Sequence, residues 1–229
     1  MSTTNVNAGN PIPPFVLKDC ALIAIATNKR ASTLKEFRDH LEHLSVDSLY
    51  HHFWANLLIP HFEELEYIND FASWVRHSLH DAKLAEQLAV LDPTSLNNLE
   101  ELRFHLLEYV DNRLDESDYL RWTQASTQFE FLRSQIVVFN THKEVADPRE
   151  MSNLIPRMTA SSIFYHFVDA RRRTEDKIDD FRSWLGFFSE MYRPLIDRLA
   201  HIDPYFITLV ELRRQVAKTF ETYFTEQAL

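Results

Sequence analysis

Ser48-Leu49-Tyr50-His51-His52-Phe53 is followed by Asn69-Asp70-Phe71-Ala72-Ser73-Trp74, and the order returns as Ser162-Ile163-Phe164-Tyr165-His166-Phe167 followed by Asp179-Asp180-Phe181-Arg182-Ser183-Trp184. Two occurrences of the same order of Ser, His, Asp and Trp indicate an internal duplication. The expected fold therefore comes from aligning the chain with itself.

Upstream of this pattern, Phe15 meets Phe129 at an offset of 114, Leu17 meets Phe131, Leu22 meets Ile136, Ile23 meets Val137 and Thr27 meets Thr141. These apolar, partly alternating segments predict a short strand opening each copy, with a buried helix as the alternative for so short a run. Next, Thr33 precedes Glu36 and Asp147 precedes Glu150 by three positions, the spacing of a helix start, and Pro148 suits a first helical position. Leu34, Phe37, Leu41 and Leu44 then recur at helical spacing, as do Met151, Leu154, Ile155 and Met158. Ser45 and Thr159 are expected to cap the helix carrying Ser-x-x-x-His-Phe.

Between the two elements the offset falls from 114 to 110, so the first copy has four extra residues within 54–68. That segment holds Leu57, Leu58, Ile59 and Phe62, whereas its counterpart holds Arg171-Arg172-Arg173. The arginine run suggests either an anion site or a solvated helix end, the latter being the commoner use of a charge run. Asn69 and Asp179 are expected N-caps, with Asp70 and Asp180 in the first turn. Asp92-Pro93 and Asp203-Pro204 are expected to cap each copy's last helix. Leu99, Leu102, Leu106, Val110 and Leu114 stripe one of these, and Leu209, Leu212, Val216, Phe220 and Phe224 the other.

The fold class is therefore mostly α (α+β): two homologous helical repeats, each opening with a short strand. The expected divisions are a loose tail over 1–13, repeats over 14–116 and 127–229, and a linker over 117–126 whose Tyr119, Leu120 and Trp122 suggest packing. A pseudo-twofold arrangement that joins the two strands in one small sheet is left open.

Composition removes several functions from contention. Of 229 residues only two are glycine, Gly9 and Gly186, which argues against phosphate-cradling loops and dinucleotide fingerprints. One cysteine, Cys20, cannot form an intrachain disulfide, and a cytoplasmic location is the default expectation. The formal charge of −10 argues against a broad nucleic-acid surface, and no long apolar run of membrane-spanning length occurs. From Pro14 to Glu116 there are 9 Lys/Arg against 18 Asp/Glu, while Thr127 to Leu229 carries 14 against 15. That asymmetry would favour docking between copies or a basic partner, although an acidic solvated surface is the plainer reading.

Among eleven histidines, His40/His43 and His77/His80 have the i,i+3 spacing of helical metal ligands. Their counterparts are Leu154, Arg157, Phe187 and Glu190, so the second copy lacks them and no metal or other cofactor is expected. His52 and His166 are the histidines that match between the copies. With Ser48/Ser162, Asp70/Asp180 and Trp74/Trp184 they form the candidate ligand-binding or hydrolytic set, His52, Asp70, His166 and Asp180 being the candidate catalytic residues. Ser48 and His52 lie one helical turn apart, where a side-chain bond could simply lock the helix, and no nucleophile elbow is present. The plainer expectation is a core histidine bonded to the Asp or to a backbone group, packed against Phe53, Phe71 and Trp74.

The aromatic opening Phe15-Val16-Leu17, the helix start Ala31-Ser32-Thr33-Leu34-Lys35-Glu36, the two quoted elements and Leu84-Ala85-Glu86 together resemble an uncharacterised domain family of bacteria and archaea, here in tandem. The second copy departs at Asp147-Pro148 and Pro194-Leu195. The resemblance implies prokaryotic origin and no assigned activity. The functional expectation is a non-enzymatic intracellular module that binds a protein partner or regulates an enzyme, without nucleic acid or membrane. The alternative is the small-molecule or hydrolytic site named above.

Overall fold

The computed structural model describes residues 11–59, 66–116, 118–174 and 176–227, without the side chain of residue 189. Phe62 and residues 1–10 of the expected tail lie outside them. Within this range the chain is mostly helical α+β with one two-stranded sheet, β1 (Phe15–Thr33) and β2 (Gln124–Val145). Both openings are strands, but at 19 and 22 residues they are far from short. Apolar alternation marks only the segments that face helices. Between them the strands continue through half-exposed residues such as Ile25, Thr27 and Lys29, where the ladder itself sustains extension.

Thr27 donates its hydroxyl to the Phe131 carbonyl at 2.5 Å and Thr141 to the Leu17 carbonyl at 2.6 Å, so the strands run antiparallel. The next residues, Asn28 and His142, have left-handed φ values of 60° and 57°. Each Thr hydroxyl also accepts from the amide two residues on, at Lys29 and Lys143.

The chain divides into two compact units. One, the His52 unit, comprises Cys20–Val138 and Pro204–Leu209; the other, the His166 unit, comprises Met1–Asp19, Phe139–Asp203 and Val210–Leu229. The boundary falls inside both strands, so the start of β1 belongs with the C-terminal helices and the start of β2 with the N-terminal ones.

In the His52 unit, α1 (Leu34–Glu42) begins at Thr33, whose hydroxyl accepts from Glu36 N while the Glu36 carboxylate accepts from Ser32 N, a reciprocal cap. Helix α2 (Val46–Leu58) starts at Ser45 without a side-chain cap, contrary to expectation. Its residues Ser48–Ala55 are all buried, so it runs through the core, whereas a helix lying on the core would bury only a stripe. Helices α3 (Asp70–His77) and α4 (Ala82–Ala89) are capped by Asn69 and Asp81. Helix α5 (Leu99–Asp115) buries Leu102, Leu106, Val110 and Leu114 and is capped by Asn98. Asp92 instead closes a local turn through Thr94 N, because six residues separate it from the helix start. The expected linker contains a short helix, α6 (Asp118–Trp122), and the first residues of β2.

In the His166 unit, Asp147 caps a 3-10 turn at Pro148–Glu150, which leads into α7 (Met151–Leu154). Thr159 caps α8 (Ala160–Ile163). The helix then widens into a π-helical stretch, Phe164–Asp169, before α9 (Ala170–Arg173). Here too the run Ser162–Ala170 is buried throughout. Asp179 caps α10 (Asp180–Gly186), followed by α11 (Arg193–Ala200) and α12 (Leu209–Glu226). Leu209, Leu212, Val216 and Phe220 are buried as expected, with Tyr223 rather than Phe224 completing the stripe.

Candidate functional site

In the His52 unit, α2 presents Ser48 and His52 to β2. The Ser48 hydroxyl donates to the Leu132 carbonyl, and the Leu132 amide donates to His52 Nε2 at 3.1 Å. The N–H and C=O of one strand residue point the same way in an antiparallel ladder. The two side chains thus satisfy both backbone groups of Leu132 on the side where β2 has no strand neighbour. His52 Nδ1 lies 2.8 Å from Asp70 Oδ2. With Nε2 occupied as an acceptor, Nδ1 carries the proton and donates to the carboxylate, which selects a neutral tautomer. Asp70 Oδ1 accepts from Asn56 Nδ2 at 2.6 Å, and Trp74 Nε1 donates to the Thr127 carbonyl at 2.7 Å. Phe129 fills the space between, 4.8 Å from the His52 ring and 5.4 Å from Phe71.

The His166 unit repeats these bonds on β1. Ser162 Oγ donates to the Lys18 carbonyl at 2.6 Å, and the Lys18 amide donates to His166 Nε2 at 2.9 Å. His166 Nδ1 lies 2.7 Å from Asp180, and Trp184 Nε1 donates to the Pro13 carbonyl at 2.8 Å. Phe15 stacks on Phe181 at 5.1 Å and lies 4.8 Å from His166. Ser, His, Asp and Trp are thus brought together in both units, but no bond joins Ser to His. Each hydroxyl proton and each Nε2 lone pair is already committed to strand backbone, so the triad-like order does not assemble.

The charge around the two aspartates differs. Asp180 also accepts from Arg173 Nη2 at 3.0 Å, and Arg173 stacks 4.0 Å above the Tyr165 ring. Arg172 and Arg173 both pair with Asp169, which is 1% exposed. The π-helical turn places that carboxylate inside, and the arginines offset its burial. Two members of the arginine run are therefore engaged with carboxylates.

His40, His43, His77 and His80 do not gather. His40 sits 5.5 Å from Phe131, His43 ends α1, His77 pairs with Glu66 at 3.2 Å, and His80 takes a left-handed φ of 57°. Among the described residues, His51, His52 and Asp70 do gather, with potential ligand atoms within 4.8 Å of one another. The bonding of His52 is poorly suited to a metal, because lending its Nδ1 lone pair would put a proton on Nε2 opposite the Leu132 N–H. His51 Nδ1 lies 2.6 Å from Ser134 Oγ, which leaves Nε2 as its potential ligand atom.

His51 was not among the sequence candidates, because its counterpart is Tyr165 and matching was the criterion; its position beside His52 was the available signal. Burial, then the neighbouring His52, push its pKa down to about 4, partly opposed by Asp70. Asn56 and Asp169 also escaped notice, lying where the self-alignment finds no match, and Arg173 was singled out only as part of the arginine run. So did Tyr205, fully buried 6.2 Å from both Phe53 and Trp54.

In each unit a helix clasps one strand of the antiparallel pair through a Ser and a His side chain, which defines the architectural class. The chain belongs to a family of unknown function, DUF5752, whose model matches residues 12–221. It is similar to the structure of OrfY from Thermoproteus tenax, with 25% sequence identity, a TM-score of 0.77, and coverage of 91% of this chain and 94% of that one. Among curated proteins there is no match. No helix among the described residues is long and apolar enough to cross a membrane.

Proposed function

We propose that this chain is a duplicated, non-enzymatic module of the prokaryotic cytoplasm that acts by binding a protein partner, and that its repeated Ser/His/Asp/Trp set is a strand clamp. The sequence copies 14–116 and 127–229 would then be one ancestral unit whose opening strands have been exchanged, each clasped by the other copy's helices. The carrying observation is that Ser48 and His52 together saturate the amide and carbonyl of Leu132, as Ser162 and His166 do for Lys18. A catalytic serine needs its proton delivered to a base, and a catalytic histidine needs a free lone pair facing substrate. Neither is free here.

The test is the pair of variants His52→Ala and His166→Ala, examined by thermal melting and by turnover of ester and phosphoester substrates. A clamp predicts a lowered Tm with no change in any turnover. Retained Tm with abolished turnover would overturn it. The hydrolytic alternative has one observation in its favour, the His51–Ser134 contact at 2.6 Å, but both residues are about nine-tenths buried, at 7% exposure.

A further inference from the structure

We propose that the α6 face of the His52 unit, centred on Tyr119 and Trp122, docks a basic, amphipathic protein segment. This rests on the reading of the chain as a binding module and names the surface and the partner's chemistry. Tyr119 and Trp122 are each 74% exposed, more than the other large hydrophobic side chains among the described residues, and stand three apart on one short helix. The chain's other tryptophans, Trp54, Trp74 and Trp184, are no more than 7% exposed. Exposed aromatics of this size cost solubility, and they are the residue types that dominate binding energy at interfaces.

Charge identifies the occupant. Residues 20–138 and 204–209 contain 10 Lys/Arg against 19 Asp/Glu, so this unit carries nine of the chain's ten net negative charges. Beside the aromatic pair, the Asp115 and Asp118 side chains are 76% and 99% exposed. Arg121 bonds Asp115 at 3.0 Å and lies 3.6 Å from Asp118, and both carboxylates keep oxygens facing water. An apolar centre with an acidic rim complements a segment that presents aliphatic side chains between lysines or arginines. The cations would meet the carboxylates and the ring faces of Tyr119 and Trp122.

The probe is a synthetic amphipathic helix of leucine and lysine, titrated into the full chain while tryptophan emission is followed, with oligolysine of equal charge as the comparison. Binding should shift the Trp122 emission to shorter wavelength, weaken with salt, and exceed that of oligolysine. Tyr119→Ala with Trp122→Ala should weaken binding about tenfold or more, followed by labelled peptide, without lowering Tm. Asp115→Asn with Asp118→Asn should weaken it less and flatten the salt dependence. The proposal is overturned if the aromatic double variant binds as well as the parent, or if oligolysine matches the amphipathic peptide. It is also overturned if the face instead mediates self-association, seen as a concentration-dependent mass that the double variant abolishes. Turnover abolished by His52→Ala would refute the non-enzymatic reading and leave this binding result standing, so the two failures are distinguishable.

Discussion

His52 Nε2 accepts the amide proton of Leu132 at 3.1 Å, eighty residues away in sequence, while Ser48, one turn earlier on the same helix, takes the Leu132 carbonyl. A helix face thereby supplies one donor and one acceptor to a strand edge, as a neighbouring strand would. Unpaired edges invite pairing with other chains, and this arrangement closes one locally without a further strand.

Removing a clamp member exposes the group it satisfied. His52→Ala or His166→Ala leaves a strand amide without its acceptor and a cavity among Phe129, Phe71 and their equivalents, and should cost roughly 2–4 kcal/mol. Ser48→Ala or Ser162→Ala loses one hydrogen bond and should cost about 1–2 kcal/mol. Urea unfolding of the four variants checks the order; serine variants costing as much as histidine variants would refute the division of labour.

The clamp's side chains were legible in the sequence because their helical spacing repeats. Phe71/Trp74 and Phe181/Trp184 lie on one face, and Asn69 and Asp179 cap just where expected. What each set clamps was not legible. Lys18 belongs to His166 across 148 positions and Leu132 to His52 across 80, and self-alignment pairs Phe15 with Phe129 without saying which helices either strand serves. Strand length was missed for a related reason: the middle of a ribbon is held by its ladder, and its side chains carry little pattern.

The two aspartates should respond differently to neutralisation. In Asp70→Asn the amide oxygen can still accept from His52 Nδ1, and the amide nitrogen can donate to Asn56 once that side chain turns its own amide over at the expense of its 3.3 Å bond to the Ile68 carbonyl, so the loss should be small. Asp180→Asn also removes a charge partner of Arg173, 3.0 Å away and partly exposed. The second variant should be the less stable by up to about 1 kcal/mol at low salt, the difference shrinking as salt rises. Equal effects at all ionic strengths would show that Arg173 contributes nothing through Asp180.

His51 gives the fold a sensitivity to acid. Its pKa is about 4 in the folded chain against an ordinary 6.5, so between those values the unfolded chain binds a proton that the folded one refuses. Stability is therefore full above about pH 6.5 and falls as pH drops towards 4, by roughly 2–3 kcal/mol in all. His51→Gln, which keeps a polar partner for Ser134, should flatten Tm against pH across that window. An unchanged slope would place the acid sensitivity elsewhere.

The ribbon's two left-handed residues supply a prediction about the backbone. Asn28 and His142 hold φ values of 60° and 57°, each just after a threonine whose hydroxyl bonds the opposite strand. Asparagine accepts this region more readily than histidine, and glycine enters it without penalty from a Cβ. His142→Gly should therefore gain stability or remain neutral, offsetting its greater unfolded-state entropy, while Asn28→Gly should change little. Asn28→Val and His142→Val should each cost about 1–2 kcal/mol, because a branched Cβ meets the backbone there. Thermal melts of the four variants decide the matter. A tolerated valine at either position would mean that the strand straightens there, which would also pull the neighbouring Thr hydroxyl off its carbonyl.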